Sequence, residues 1–239
     1  MKVLVIVPTY NESENILNLI PEILANSNDK FDFNILIIDD NSPDGTANLV
    51  KNLNNPKVHL IEREKKLGLG TAYVMGFKYA IENNYDVVFE MDADFSHDPK
   101  YLPGFLTKID EGYDLVVGSR YINGVSVLNW PIGRLVLSYY ANMYTRWVTG
   151  LKVKDTTAGF VCYRVDALKK INLNNIKSNG YSFQIEMKFK FYRKNLKICE
   201  IPILFVDRRA GSSKMSRKVV YEAMFMVWKL KLRSIFNKL

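Results

Sequence analysis

A doubly wound, mostly parallel α/β sheet is the fold class this sequence predicts, and three observations carry it. Short apolar runs rich in Val and Ile recur through the first half of the chain: KVLVIV (2–7), FNILII (33–38), KVHLI (57–61), YDVVFEM (85–91) and YDLVVG (113–118). Nearly continuous apolar character is what strands covered on both faces require. Segments of helical period separate these runs, and a repeated strand–helix order predicts parallel pairing. The residues that follow successive runs are polar or acidic, and in such sheets ligands sit beyond the carboxyl ends of the strands.

Each element has its own justification. The first run gives way at Pro8-Thr9-Tyr10-Asn11-Glu12 to a helix expected over 12–26, where Asn11 followed three residues later by Glu14 reads as a variant capping box. After the second run, Ser42-Pro43-Asp44-Gly45 reads as a Ser N-cap with Pro at the first helical position, opening a helix over 43–53. Helices over 68–83 and 98–110 follow the third and fourth runs, the last entered through Ser96, Asp98 and Pro99. Beyond Gly118 the alternation weakens. Within 129–150 one long helix is expected after Trp130-Pro131, ending at Gly150; another spans 180–195, and a strand spans 197–206. DRRAGSSKMS (207–216) reads as a basic loop and 217–239 as a helix. No repeat or linker divides the chain, so one domain is expected, with an α/β half (1–118), a more irregular stretch (119–216) and a basic amphipathic end (217–239).

Composition narrows the class. With 239 residues, 48% hydrophobic and 24% charged, the chain reads as globular. Cys162 and Cys199 are too few for a disulfide framework and read as inert thiols of a reducing compartment. The N-terminus is apolar only to Val7, too short for a signal-peptide core, so a cytoplasmic location is expected. The formal charge of +8 is uneven: residues 164–239 hold 18 Lys and Arg against five acidic residues. A basic half attracts nucleic acid, anionic lipid or phosphorylated substrates. No recognised nucleic-acid module accompanies it, and no P-loop or G-x-G-x-x-G follows the first run.

The strand ends carry the chemistry. Asp92 and Asp94, separated by Ala93, can converge on a hard divalent cation, or can belong to a polar helix entry. Asp40 follows an apolar strand with no local donor in view and could accept hydrogen bonds from a base or ribose. Glu12 and Tyr10 stand similarly after the first strand, where Tyr10 could stack on a base. Arg120 follows the fifth strand, and its planar guanidinium suits phosphate oxygens. Arg134 and Ser138 are four apart on one helix face and could hold one phosphate together.

These segments, in this order, resemble a family. VPTYNESENI, IIDDNSPDGT, GLGTAYVMGF, EMDADFSHDP, VGSRYINGV, NWPIGRLVLS, DTTAGFVCYR, GYSFQIEM and DRRAGSSKMS are similar to the motifs of dolichyl/polyprenyl-phosphate mannosyltransferases, members of the inverting glycosyltransferase family two. The resemblance implies a GT-A fold, a sugar-nucleotide donor (GDP-mannose in the nearest relatives), Mg²⁺ or Mn²⁺, and a polyprenyl or dolichyl phosphate acceptor. It places base and ribose contacts on Pro8, Tyr10, Glu12, Ile38 and Asp40. It places the donor diphosphate and metal on Asp92, Ala93 and Asp94, with Asp94 the principal ligand and Ser96 where relatives often have a longer Gln. It assigns the acceptor phosphate to Arg120, Arg134 and Ser138, and closure over the donor phosphates to Arg208 and Lys214. Val125 departs from a common second Gly in YINGV.

From these residues Asp155 is expected to organise arginines, serving as a base only if the acceptor were a hydroxyl, and His97 is expected to support its loop. The longest uncharged run of 217–239 is too short to span a bilayer, so this helix either lies on a membrane face or packs on the core. Many relatives add transmembrane helices or pair with a membrane subunit; no such extension is visible in this sequence. A UDP-glucose-type donor and a non-catalytic nucleotide-sugar sensor are the alternative readings.

Overall fold

In the computed structural model, which describes residues 1–207 and 217–235 (backbone alone at 217–223 and 235), the alternation becomes a sheet with helices on both faces. The first half runs β1 (Lys2–Thr9), α1 (Ser13–Leu24), β2 (Asp32–Asp39), α2 (Thr46–Asn52), β3 (Val58–Glu62), α3 (Leu69–Glu82), β4 (Val87–Glu90), α4 (Leu102–Asp110) and β5 (Leu115–Ser119). Then come β6 (Val127–Leu128), α5 (Ile132–Thr149), β7 (Val161–Arg164), α6 (Val165–Leu168), α7 (Gly180–Arg193), β8 (Ile198–Pro202), β9 (Phe205–Val206) and α8 (Arg217–Ile235). Seven strands pair in the order β3-β2-β1-β4-β7-β5-β8. All pairings are parallel except those of β7, which runs antiparallel between β4 and β5.

The period of two along each strand divides the core. Leu4, Ile6, Leu36 and Ile38 face α3, α6 and α7, while Val3, Val5, Val7, Ile35 and Ile37 face α1, α2 and α4. A third, smaller cluster joins α5, α7 and α8 through Val148, Ile185, Phe189, Val227 and Leu230. One face of α8 is therefore core-packed, which answers half of the question its sequence raised.

Four expectations are corrected. First, α1 does not open on a capping box: Asn11 adopts φ 61°, and the helix begins at Ser13 without a side-chain cap from Glu12. Its entry is held from the neighbouring loop, as Asn11 N–H donates to Ser42 Oγ (3.0 Å), Glu12 N–H to Thr46 Oγ1 (3.1 Å) and Ser13 N–H to Asp44 Oδ2 (3.0 Å). Second, α2 begins at Thr46 rather than Pro43. Ser42 is turned back to Asp39, and Asp44 accepts from Thr46 N–H (3.1 Å) and Oγ1 (2.6 Å). Third, the strand expected over 197–206 breaks after Pro202 into β8 and β9, and β9 pairs with β6 in a separate two-stranded sheet. Pro202 has no N–H with which to continue a ladder. Fourth, β7 is an additional strand that period alone did not separate from its surroundings.

Asp44 thus serves the starts of two helices. Burial works to raise its carboxyl, but the hydrogen bonds from Thr46 and Ser13 outweigh it and hold the group at about 2. A depressed folded value means stability that is present above the ordinary carboxylate value and is lost as pH falls through about 2. We expect Asp44→Ala to cost about 1–2 kcal/mol in urea unfolding at pH 7, with the gap from wild type closing as the pH is lowered.

Close packing sets a second expectation. A Cβ at Gly76 of α3 would lie 2.4 Å from Cδ1 of the fully buried Ile6 of β1. The helix-propensity gain of Gly76→Ala, about 1 kcal/mol, is opposed by overpacking of about 1–3 kcal/mol. A lower urea midpoint is expected, and a raised one would contradict this packing.

Candidate active site

The carboxyl ends of β1, β2, β4 and β5 lie along one edge of the sheet, and the chain leading into β7 arrives at the same edge because that strand is reversed. On the β1–β2 side, Pro8 is in register with Ile38 and Thr9 with Asp39. Asp39 is occupied within the fold, accepting from Thr9 Oγ1 (2.7 Å), Ser42 N–H (2.8 Å) and Ser42 Oγ (2.6 Å). Tyr10 is exposed, with the Lys66 ammonium 3.9 Å above its ring. Glu12 accepts from Asn15 Nδ2 (2.9 Å).

Asp40 has the partner that its local sequence does not show. Arg63, the residue after β3, is buried against it and pairs through Nε and Nη2. Arg63 also donates to Thr71 Oγ1 (2.7 Å) and the Gly68 carbonyl (3.3 Å), so it joins Asp40 to the start of α3. The partner is 23 residues away in sequence, beyond any local reading.

At the end of β4, Asp94 accepts from Ser96 N–H (3.1 Å) and Ser96 Oγ (2.6 Å). The helix entry belongs instead to Asp98, which accepts from Lys100 N–H (2.9 Å) and caps the 3₁₀ turn Pro99–Tyr101. Ala93 is buried between the two carboxylates. His97 is buried, stacked on Phe160 (5.0 Å between ring centroids), and its Nδ1 accepts from Asp92 N–H (3.0 Å). Burial lowers its pKa against the opposing pull of Asp92 and Asp94, which keeps Nδ1 available as an acceptor. His97 therefore supports the loop, as the sequence suggested. Among the described residues no three His, Cys, Asp or Glu side chains gather as a metal centre. Asp92, Asp94 and Ser96 offer an all-oxygen set that suits a hard cation sharing its shell with water and a diphosphate.

On the β5 side, the buried Arg120 is clasped by the fully buried Asp155. Nε donates to Oδ2 (2.7 Å), Nη2 to Oδ1 (2.7 Å), and the Arg120 backbone N–H also to Oδ2 (3.0 Å). Burial opposes both charges, but each offsets it for the other: the arginine's pKa is raised and the aspartate's lowered. Trp130 stands between the two arginines, its ring 5.3 Å from the Arg120 guanidinium carbon and 4.1 Å from that of Arg134. Arg134 pairs with Asp207 (2.8 Å), and Ser138 Oγ accepts from the Tyr121 hydroxyl (2.7 Å). Trp130 Nε1 and Arg134 Nε are buried donors without a hydrogen-bond partner in the described structure.

Two cavities meet here. One, about 1200 Å³, is bordered by Tyr10, Glu12, Asp94, Lys100 and Asp207. The other, about 270 Å³, starts at Arg120, Arg134 and Ser138 and continues between Leu137, Tyr140, Tyr144, Ile185, Met224 and Val227. The Arg134–Asp207 pair stands between them. Arg208 and Lys214 lie outside the described residues.

The sequence profile of glycosyl transferase family 2 matches residues 4–172. The chain belongs to that family. The transferase is 44% identical over 230 residues to polyprenol monophosphomannose synthase of Mycolicibacterium smegmatis, covering 95% of this chain and 85% of the relative. It is 43% identical over 238 residues to undecaprenyl-phosphate mannosyltransferase of Micrococcus luteus, covering 98% and 96%. Glucosyl-3-phosphoglycerate synthase from Mycobacterium tuberculosis shares the fold at TM-score 0.70 and 16% identity, over 96% of this chain and 79% of that one. The resemblance found in the motifs is therefore borne out over nearly the full length, and the chain is a glycosyltransferase enzyme.

Beneath the transferase's strand ends lies a buried polar layer that the sequence did not disclose. Glu90, fully buried, accepts from the Tyr163 hydroxyl (2.7 Å) and Gln184 Nε2 (2.5 Å). Lys188, also fully buried, donates to the Ala158 carbonyl (2.8 Å) and Gln184 Oε1 (3.2 Å). Burial lifts the Glu90 carboxyl to about 7 and lowers the Lys188 ammonium to about 8, each partly restored by the other's charge.

The clasp generates a stability expectation. Asp155→Ala strands a buried guanidinium and should cost about 3–5 kcal/mol, read from urea unfolding. The double variant Asp155→Ala/Arg120→Met, which removes the stranded charge, should recover part of that loss.

Proposed function

We propose that this transferase moves mannose from GDP-mannose to a polyprenyl or dolichyl phosphate with inversion, aided by Mg²⁺ or Mn²⁺. The observation that carries the acceptor is the pair of guanidiniums around Trp130 at the mouth of a narrow apolar cavity. A phosphate monoester on an isoprenoid chain matches both ends of that site: the arginines and the unpaired Trp130 and Arg134 donors suit its oxygens, and the apolar walls suit the first part of its tail. The two relatives, a polyprenol monophosphomannose synthase and an undecaprenyl-phosphate mannosyltransferase, support the same acceptor and sugar.

On the donor side, Tyr10 offers a ring face to a base, Asp40 a carboxylate held by Arg63, and Glu12 a second carboxylate at the cavity edge. Pro8 and Ile38, paired in register at the ends of β1 and β2, would lie toward the base and ribose, and Ala93 would let the chain pass close to the diphosphate. Asp92 and Asp94, with Ser96 beside them, would hold the divalent cation, whose chemistry is to neutralise charge on a departing diphosphate. The related mycobacterial synthase was crystallised with Mn²⁺ and UDP-glucose, which supports a cation and a sugar nucleotide in this fold. Arg208 and Lys214 complete the proposed phosphate contacts.

A phosphate monoester is already largely dianionic near pH 7, its second pKa being about 6. Its oxygen can attack C1 of the sugar without a general base. The new C1–O bond to the acceptor phosphate forms as the C1–O bond to the diphosphate breaks, and GDP leaves with the bonding pair. Attack opposite the leaving group converts an α-linked donor into a β-linked mannosyl phosphate. Arg120 and Arg134 hold the nucleophile against repulsion from the second anion. Asp155 serves by orienting Arg120, which leaves it no free oxygen lone-pair role as a base.

A peripheral position on the cytoplasmic membrane face fits the outer surfaces of α5 and α8. Ile132, Trp147 and Phe225 are 79%, 76% and 78% exposed, and Trp147 meets Trp228 edge-on at 6.4 Å. Arg146, Lys229 and Arg233 share these helices. No helix among the described residues is long and apolar enough to cross a membrane.

The test is transfer of radiolabelled sugar to polyprenyl phosphate by purified protein, comparing GDP-mannose with UDP-glucose under Mg²⁺, Mn²⁺ or chelator. Mannose transfer that stops on chelation is expected; turnover indifferent to chelator would remove the cation, and donor binding without transfer would indicate a sensor. Asp94→Ala should lower kcat by about 100-fold or more, a loss of the size seen when charge stabilisation is removed. Arg134→Ala should raise the KM for polyprenyl phosphate by about 10-fold or more with a smaller effect on the donor's KM.

A further inference from the structure

Two arms of the site, the Asp92–Asp94 carboxylates and the Arg120 guanidinium, belong to different strands, β4 and β5, which do not pair with each other. The short segment from Asp155 to Phe160 touches both. At one end Asp155 clasps Arg120; at the other Phe160 stacks on His97, whose Nδ1 holds the Asp92 N–H. Between them, the Ala158 carbonyl accepts from the Lys188 ammonium (2.8 Å). Lys188 is tied onward through the Gln184 amide to Glu90, two residues before Asp92.

We propose that Lys188 is a positioning residue, which through Ala158 and through Gln184–Glu90 fixes the acceptor-side arginine relative to the donor-side carboxylates. The geometry supports a specific tie more than general stabilisation. An ammonium is an expensive group to bury, and an apolar side chain of similar length would fill the same space without that cost. Its protons go to a carbonyl in the middle of the shared segment and to an amide that faces Glu90, rather than to Glu90 directly. The amide orientation is set from both ends, since its oxygen accepts from Lys188 and its nitrogen donates to Glu90. Removing the ammonium removes the hydrogen bond that ties the 155–160 segment to α7 while leaving every substrate-facing side chain chemically intact. This inference rests on the transfer reaction proposed above for its kinetic readout, and has a second readout that does not.

The experiment compares wild type, Lys188→Met, and Lys188→Met/Glu90→Gln, which removes both buried charges. In Lys188→Met, kcat for mannosyl transfer should fall about 10- to 100-fold, the scale of an ångström-level misplacement, with the KM of each substrate within about threefold of wild type. Amide hydrogen exchange should quicken together at Asp92 and Arg120, about tenfold for the loss of one hydrogen bond to a charged group, while β1 and β2 amides stay protected. In the double variant the melting temperature should return toward wild type while kcat stays low, because the tie to Ala158 is still missing. Unchanged kcat and unchanged exchange in Lys188→Met, or recovery of both in the double variant, would overturn the proposal. Quickened exchange throughout the sheet would reduce Lys188 to a stability residue and overturn it as well. If Lys188→Met does not fold, the double variant and Gln184→Met decide by the same two readouts. A wild type that transfers no sugar to polyprenyl phosphate defeats the functional reading alone, since the exchange comparison still decides on Lys188.

Discussion

A buried guanidinium needs a matched anion, and among the described residues Asp155 is the carboxylate in direct contact with Arg120. That clasp uses both carboxylate oxygens and the Arg120 backbone N–H, so it fixes the end of β5 as well as the side chain. The remaining guanidinium surface is presented to Trp130, Thr157 and the cavity beyond. Much of the acceptor side depends on it. Trp130 is wedged between Arg120 and Arg134, Arg134 reaches Asp207, and Asp207 borders the larger cavity. Burying this charge pair carries a desolvation cost, and the clasp also holds the Arg120 side chain and backbone in position.

The donor side is built on a different plan, through loops that cap one another. Asp39 holds Thr9 and Ser42, and Asp44 holds the first turns of α1 and α2. Arg63 joins the end of β2 to the start of α3. Short polar side chains satisfy backbone donors that helix starts leave open, and they do so across strands rather than within them. Tyr10, Glu12 and Asp40 are presented from a framework whose own hydrogen bonds are already satisfied.

Much of this was legible in the sequence. The five apolar runs gave strands within a residue or two, and Gly150 ended α5 in the left-handed conformation expected of it. The strand-end motifs put Tyr10, Asp40, Asp94 and Arg120 just beyond strands, and the structure has them after β1, β2, β4 and β5. What escaped was set by distance along the chain. The caps of α1 come from Ser42, Asp44 and Thr46, so Asn11 and Glu14 had the right spacing for a task done by others. Arg63 sits in the charged run EREKK and Lys188 within the helix expected over 180–195, and nothing local marks either one. Their burial comes from elements that pack on them, and no local pattern reports that. Four-residue β7 is recognisable only by its partners on either side.

The reversal of β7 has a consequence for how such a scaffold can change. Parallel strands deliver chain that is leaving the sheet, so their ends are constrained by whatever helix must follow. An antiparallel strand in the same edge delivers chain that is arriving. The whole excursion from Arg120 to Phe160, with β6, α5 and the aromatic wall, is thereby anchored at both ends on one rim. It forms a closed detour whose interior can be rewritten, lengthened or reshaped for another acceptor while the donor strands keep their places.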